Sequence, residues 1–284
     1  DDPREMSQLE DCDVVVELIG QEKGISYEVI NIALLNGKHV VTGNIALIAN
    51  HGNNLLKLAE NNSLALSFEA AVAGGIPVIK CIKNDISLNK INKISGILNG
   101  TTNYILTKME EENLSFDTVL KIAKEKGFTS DHESELDIGG FDAAHKLTIL
   151  SMLCFGSNLN FKQNSIQGIS KVKIEDINFA KKLGYKIKLI SESLLIENKI
   201  SNFTSPKLIS FENSLANVGD ALNAVNISTE HLDNLCLVGQ GAGGKPTANS
   251  ILSDLYDISL NDKFNNMGTL TDNLIDYEQY NSEK

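Results

Sequence analysis

Residues 13–44 read DVVVELIGQEKGISYEVINIALLNGKHVVTGN, and this stretch decides the fold. Asp13 to Leu18 is a continuous β-branched run bounded by acids and Gly20, the pattern of a parallel strand buried on both faces. Ser26 to Asn36 carries helical spacing and is closed by Gly37, after which KHVVTGN supplies a second strand. Working outward, Ala46 to Glu60 reads as a second helix and Leu64 to Phe68 as a third strand. This rhythm with short connections predicts an open parallel sheet with helices on both faces, which binds nucleotides at the carboxyl ends of its strands. Such a domain ordinarily opens on a strand, a glycine-rich turn and a helix. Only twelve residues, DDPREMSQLEDC, precede Asp13, so the sequence is expected to begin part-way through its domain.

With 284 residues, 42% hydrophobic and 22% charged, the chain is long enough for two modest domains. A net charge of −12 without a dense Lys/Arg stripe argues against nucleic-acid or anionic-membrane partners. An uninterrupted apolar run long enough to span a bilayer is missing. Cys12, Cys81, Cys154 and Cys236 lack C-x-x-C spacing, so small core thiols in a reducing cytoplasm are expected rather than disulfides or zinc.

Chemistry is expected in residues 127–155, GFTSDHESELDIGGFDAAHKLTILSMLCF. If Gly139 and Gly140 break a loop and a helix starts near Phe141, then Asp142, Lys146, Ile149 and Leu153 share one face. The other faces are nearly all apolar, so the helix reads as buried with an acid and an ammonium at its head. Two readings stand side by side. One is an exposed i,i+4 ion pair worth roughly 0.2–0.5 kcal/mol. In the other, Lys146 is an acid/base or electrostatic group and Asp142 orients it or binds a substrate amine. The preceding acids Asp131, Glu133, Glu135 and Asp137 form either a solvated loop or a receptor for an ammonium group.

Three further motifs surround this helix. FEAAVAGGIPVIK, Phe68 to Lys80, bends through two glycines into a helix headed by Pro77, and its carbonyls could serve a hard cation or merely a tight connection. Asn92 to Leu98 alternates as a strand and ends in Asn99, Gly100, Thr101, Thr102, feeding an N-capped helix over Asn103 to Glu111 and offering an anion seat. Strands are expected at Tyr185 to Ile196, Lys199 to Phe203 and Lys207 to Phe211, giving a second domain. In NLCLVGQGAGG, Asn234 to Gly244, the residues Gly239, Gly241 and Gly244 satisfy G-x-G-x-x-G. The remaining chain is too short to complete a βαβ unit around them, and Pro246 replaces the Ser/Thr of a phosphate loop. A helix over Thr247 to Leu255 follows.

Together VVVELIG, GKHVVTGN, FEAAVAGGIP, GILNGTTNYIL, DIGGFDAAHKL and GQGAGGKPTA resemble the homoserine dehydrogenase family along nearly the whole chain. The resemblance implies a partial Rossmann-like parallel sheet domain over 1–76 and an α+β catalytic and dimerisation domain over 77–240. A glycine loop and helix over 241–270 would return to the nucleotide region, and 271–284 would be a polar tail. It further implies NAD or NADP as cofactor, a homodimer or homotetramer, and interconversion of L-homoserine and L-aspartate 4-semialdehyde in threonine, methionine and isoleucine biosynthesis. By the same resemblance Lys146 and Asp142 are catalytic, and Gly100 and Thr101 lie at the amino-acid site with Asp131 or Glu133. Ile19, Asn44, Gly241 and Gly243 then face the cofactor, and Glu69, Val72, Gly74 and Ile76 hold sodium. Two departures bear on activity. Ile45 stands where the family has a lysine in T-A-N-K, and Asp131 stands where E-x-D-P would put a glutamate. A non-catalytic homologue that keeps the fold and dimer surface is the alternative that Ile45 and the missing glycine-rich opening allow.

Overall fold

The computed structural model describes residues 2–131, 133–157, 161–197 and 199–266. The strands β1 (Val14–Glu17), β2 (His39–Thr42) and β3 (Leu66–Ser67) form a parallel sheet in that order, connected by α1 (Ile25–Leu35) and α2 (Ile45–Asn61). Its register sets Val15 beside Val40 and Val40 beside Leu66, so a row of apolar residues crosses the sheet. Val40 and Val41 are both fully buried, as the continuous apolar run requires. Helix α2 begins at Ile45 because Asn44 caps it, its Oδ1 accepting the Leu47 N–H at 3.1 Å. Beside β3, Asn266 accepts the Leu66 N–H at 2.9 Å and donates to the Leu64 carbonyl at 2.7 Å, satisfying strand groups with a side chain.

A second sheet contains β4 (Ile91–Ile97), β5 (Ser165–Ile166), β6 (Tyr185–Ile196), β7 (Lys199–Ser210), β8 (Leu222–Thr229) and β9 (Asn234–Gln240). Their order is β5-β7-β6-β4-β8-β9, antiparallel except for the β5–β7 pair. Six helices accompany it: α3 (Gly100–Glu112), α4 (Phe116–Glu125), α5 (Ser134–Ile138), α6 (Phe141–Phe155), α7 (Ile174–Lys182) and α8 (Gly244–Leu260).

Several boundaries differ from the sequence expectation, each for a local reason. The strand expected to break around Pro206 is continuous, with Leu189 opposite Pro206. Because β5 pairs only with Phe203 and Thr204, Pro206 falls where the outer edge of β7 is open and no donor is needed. Helix α3 starts at Gly100 instead of Asn103, since Asn99 Oδ1 takes the Thr102 N–H at 2.8 Å. Helix α8 starts at Gly244, three residues before Thr247, with Pro246 in its first turn, where no backbone N–H is needed. The acidic stretch expected as a loop contains α5. Ser130 Oγ accepts the Glu133 N–H at 3.2 Å and starts that turn. The expected polar tail, 271–284, lies outside the described residues.

Helix α6 is the centre of the packing, with twelve of its fifteen residues buried. Leu147, Ile149, Leu150 and Leu153 are fully buried, and each such side chain contributes about 1.5–3 kcal/mol. Its polar members find partners: Thr148 Oγ1 donates to the Ala144 carbonyl at 2.9 Å, and Ser151 Oγ lies 2.9 Å from Ser193 Oγ. Gly52 of α2 faces it, with Met152 Cε 3.4 Å from where a Cβ would stand. Core residues from both sheets join one cluster around this helix. No helix among the described residues is long and apolar enough to cross a membrane.

Lys188 on β6 is 2% exposed and is held by neutral acceptors, Asn103 Oδ1 at 2.9 Å, the Val218 carbonyl at 2.7 Å and Thr107 Oγ1 at 3.3 Å. Burial pulls its pKa from 10.5 to about 8. The unfolded chain therefore binds the proton more tightly than the folded one. The resulting penalty is fully present below about pH 8 and is relieved as pH rises toward the unfolded pKa, a term of roughly 3 kcal/mol at most. Urea unfolding at about pH 7.5 and about pH 9.5 should show a smaller alkaline gain in Lys188→Met than in the wild type. Identical gains would remove Lys188 as the source.

Candidate active site

Helix α6 opens on Gly140, whose φ of 82° suits glycine and which supplies no side-chain cap. The unsatisfied first-turn N–H groups favour the carboxylate of Asp142. One turn on, Lys146 Nζ donates to Asp142 Oδ2 at 2.8 Å and to the Leu98 carbonyl at 3.1 Å. The two side chains are 9% and 21% exposed, so the pair is not the solvated surface ion pair that spacing alone allowed.

Asn99 organises the acids. Its Nδ2 donates to Asp142 Oδ2 at 2.9 Å and to Asp137 Oδ1 at 2.7 Å, while its Oδ1 caps α3. Asp137 Oδ2 also accepts from Thr129 Oγ1 at 2.7 Å. Burial raises the Asp137 pKa, against the opposing hydrogen bonds from Thr129 and Asn99. Two carboxylates, one ammonium and one amide therefore meet at the head of α6.

They lie in a cleft of about 700 Å³. Gly20 and Asn44 face it from the first sheet, Gly100 and Thr101 from the start of α3, and Gly241 and Gly243 from the loop before α8. Glu133 lines it too, and Ile45 occupies the wall where a lysine was expected, leaving Lys146 as the lysine of the lining among the described residues. Thr101 is anchored by donating to the Phe128 carbonyl at 2.9 Å. Gly100 must be small: a Cβ would stand 2.6 Å from the Ala221 carbonyl oxygen.

Two expected residues fall outside this lining. Ile19 is 43% exposed and its N–H is committed to buried Glu17 Oε1 at 2.8 Å, so Gly20, not Ile19, reaches the cleft. Asp131 is 95% exposed and paired with Lys124 at 2.7 Å, which holds its carboxyl below the usual range. The turn made by α5 carries the chain past Asp131 and presents Asp137 instead. Glu69, Val72, Gly74 and Ile76 form a separate turn after β3. There the Glu69 carboxylate accepts the Ile79 and Lys80 N–H groups at 2.9 and 2.8 Å, and burial pushes its pKa up to about 7.

Asp137 stands out in the sequence only as one of several acids that could receive an ammonium group, and neither Asn99 nor His145 is marked there as a site residue. His145 lines the cleft and stacks on Phe161 with centroids 3.7 Å apart, and burial lowers its pKa. Asn99 was legible as part of the turn before a helix, and Asp137 as a member of the acidic run. Their meeting depends on β4, α5 and α6 converging.

A short parallel sheet, a larger mixed sheet and a polar cleft between them define a two-part α/β fold of the dinucleotide-binding class. The homoserine dehydrogenase, NAD binding domain family matches residues 2–69, and the homoserine dehydrogenase family matches residues 77–256. A homoserine dehydrogenase from Neisseria gonorrhoeae is 42% identical over 258 residues, covering 91% of this chain and 59% of the relative. One from Pseudomonas aeruginosa is 43% identical, covering 87% and 57%. A crystal structure of a homoserine dehydrogenase from Thiobacillus denitrificans superposes with a TM-score of 0.90 at 37% identity, over 98% of this chain and 64% of that one. A hyperthermophilic archaeal homoserine dehydrogenase in complex with NADPH superposes with a TM-score of 0.80 at 28% identity, over 93% and 76%. The chain belongs to the homoserine dehydrogenase family, and it spans 59% and 57% of the length of those two curated relatives.

The Asn99 amide is the shared donor of two carboxylates. Asn99→Asp keeps an acceptor for the α3 cap but sets a third carboxylate against Asp137 and Asp142. Like charges raise folded-state carboxyl pKa values, so the variant's stability deficit should grow as pH rises from about 4 to about 7. Denaturation across that range measures it, and a pH-independent deficit would show that the three acids do not interact.

Proposed function

We propose that the protein carrying this chain catalyses the NAD- or NADP-dependent interconversion of L-homoserine and L-aspartate 4-semialdehyde. The observation that carries this reading is the part-buried Lys146–Asp142 pair, set with Asn99 and Asp137 in a cleft lined from both segments that match homoserine dehydrogenase families. The comparisons lend no support to a non-catalytic homologue.

The residues fit a dinucleotide. The N-cap of α8, Gly243, has no side chain to satisfy the first-turn N–H groups, and residues 241–243 line the cleft together with Gly20 and Asn44. When bound, the nicotinamide supplies or receives the hydride. Lys146 has three N–H donors, of which two are directed at Asp142 and Leu98. The third is available to the C4 oxygen of the amino acid. In reduction Lys146 polarises the aldehyde oxygen and delivers the proton that completes the hydroxyl; in oxidation the neutral amine takes that proton back. Asp142 keeps the ammonium aimed, and Asp137 with Glu133 offers carboxylate to the substrate's own ammonium group. Gly100 and Thr101, at the N-terminus of α3, suit its carboxylate. Catalytic use of Lys146 and Asp142 and substrate contact by Gly100, Thr101 and Glu133 thus belong to this reading. So do cofactor contacts by Asn44, Gly241 and Gly243.

Carbonyls of Glu69, Val72, Gly74 and Ile76 are hard oxygen donors suited to sodium. Gly74 and Ile76 already accept from Ser250 Oγ and the Val78 N–H, leaving each a second lone pair. A division of the chain near residue 76 is supported by family matches that end at 69 and resume at 77. A role in threonine, methionine and isoleucine biosynthesis, a homodimer or homotetramer, and a cytoplasmic setting complete it, the last in keeping with four free cysteines.

Aspartate semialdehyde reduction by the complete protein tests the reading. Lys146→Ala should lower turnover by about 10²–10⁴-fold while circular dichroism stays native. Asp142→Asn should lower kcat/KM by more than about tenfold. Wild-type turnover in both variants would leave the pair a structural device.

A further inference from the structure

Asn223, the second residue of β8, is fully buried, and its Nδ2 donates to the Leu98 carbonyl at 3.1 Å. That carbonyl is the one that accepts from Lys146 Nζ, also at 3.1 Å. The Asn223 Oδ1 is buried with no hydrogen-bond partner among the described residues. A side chain held under that cost is held by its surroundings. One part of those surroundings is Gly241: a Cβ built there would fall inside the Asn223 side-chain amide. Gly241 is not among the glycines with positive φ, so glycine is needed here for space and not for backbone conformation. A Cβ on Gly74 would likewise stand 2.8 Å from the Gly241 carbonyl oxygen. The loop packs closely against both residues.

We propose that Asn223 is a positioning residue that couples the seat of the Gly241–Gly243 loop to the aim of the Lys146 ammonium through the shared Leu98 carbonyl, and that position 241 is glycine in order to admit it. This rests on the dehydrogenase reading of the cleft. A carbonyl oxygen has two lone pairs, and filling one from Asn223 fixes the direction in which the other meets Lys146. Shifting that carbonyl rotates the ammonium and moves its third N–H away from the reacting oxygen. Small misplacements of this kind act on turnover more than on binding.

Four variants of the complete protein test it: Asn223→Asp, Asn223→Ala, Gly241→Ala and the Asn223→Ala/Gly241→Ala double. Asn223→Asp keeps the bulk and loses the donor. It should lower kcat about tenfold with the KM for aspartate semialdehyde changed less than about twofold. Wild-type kcat in a folded Asn223→Asp protein overturns the positioning role. Thermal unfolding of the other three closes a cycle that does not depend on activity. Gly241→Ala should lower Tm by several degrees in the wild type and much less once Asn223 is truncated, whereas additive losses overturn the packing claim. An inactive wild-type protein would instead overturn the dehydrogenase reading and the catalytic half of this inference, while the cycle still judges the seat of the loop.

Discussion

The structure depends on burying one ammonium. Lys146 projects from a helix that is otherwise almost wholly interior, and taking an ion out of water is tolerated only where its donors are matched. Asp142 supplies the charge, one turn earlier on the same helix, and the Leu98 carbonyl supplies the second acceptor from the end of β4. Removing one partner would leave the other charge in a part-buried site without its counter-ion. The surroundings are arranged around this demand. Asn99 caps α3 with its oxygen and steadies both Asp142 and Asp137 with its nitrogen, so the helix start and the acid pair are held by one residue. Asp137 is in turn reached by Thr129. An ion pair of low intrinsic worth becomes a fixed constellation through partners drawn from three other segments.

The two sheets are tied together by α8 and the turn after β3. Asp254 Oδ2 accepts the Glu69 N–H at 2.9 Å, Ser250 Oγ donates to the Gly74 carbonyl, and Lys80 reaches Asp254 at 3.3 Å and Asp257 at 2.6 Å. Burial raises the pKa of both Glu69 and Asp254, a cost accepted where the chain passes from the first sheet toward the second. Backbone runs against backbone there: a Cβ on Gly75 would stand 3.0 Å from the Gln240 carbonyl oxygen. The glycine run at 239–244 therefore does two things. It presents main chain to the cleft on one side and fits against the 74–75 turn and Asn223 on the other. A glycine motif read only as a nucleotide fingerprint misses the second use.

Local pattern decided much of this protein. The β-branched runs at 14–17 and 39–42, the Gly139–Gly140 break and the nearly all-apolar Phe141–Phe155 helix follow from propensity, periodicity and backbone geometry, which act within a few residues. The same pattern put Asp142 and Lys146 one turn apart. It could not say whether they were buried, because an i,i+4 pair has the same spacing on a wet surface and in a core. Nor could it choose among Asp131, Glu133 and Asp137. The formation of α5 turned Asp137 toward Asn99, thirty-eight residues away in the chain, and kept Glu133 in the cleft lining, leaving Asp131 to solvent and Lys124. The contacts of Asn223 with Leu98 and Gly241 and the closure of β3 by Asn266, two hundred residues on from Leu66, are of the same kind. Elements are set by neighbours in sequence, whereas the partner of a buried polar group is set by which segments meet in space, and only tertiary structure brings them together.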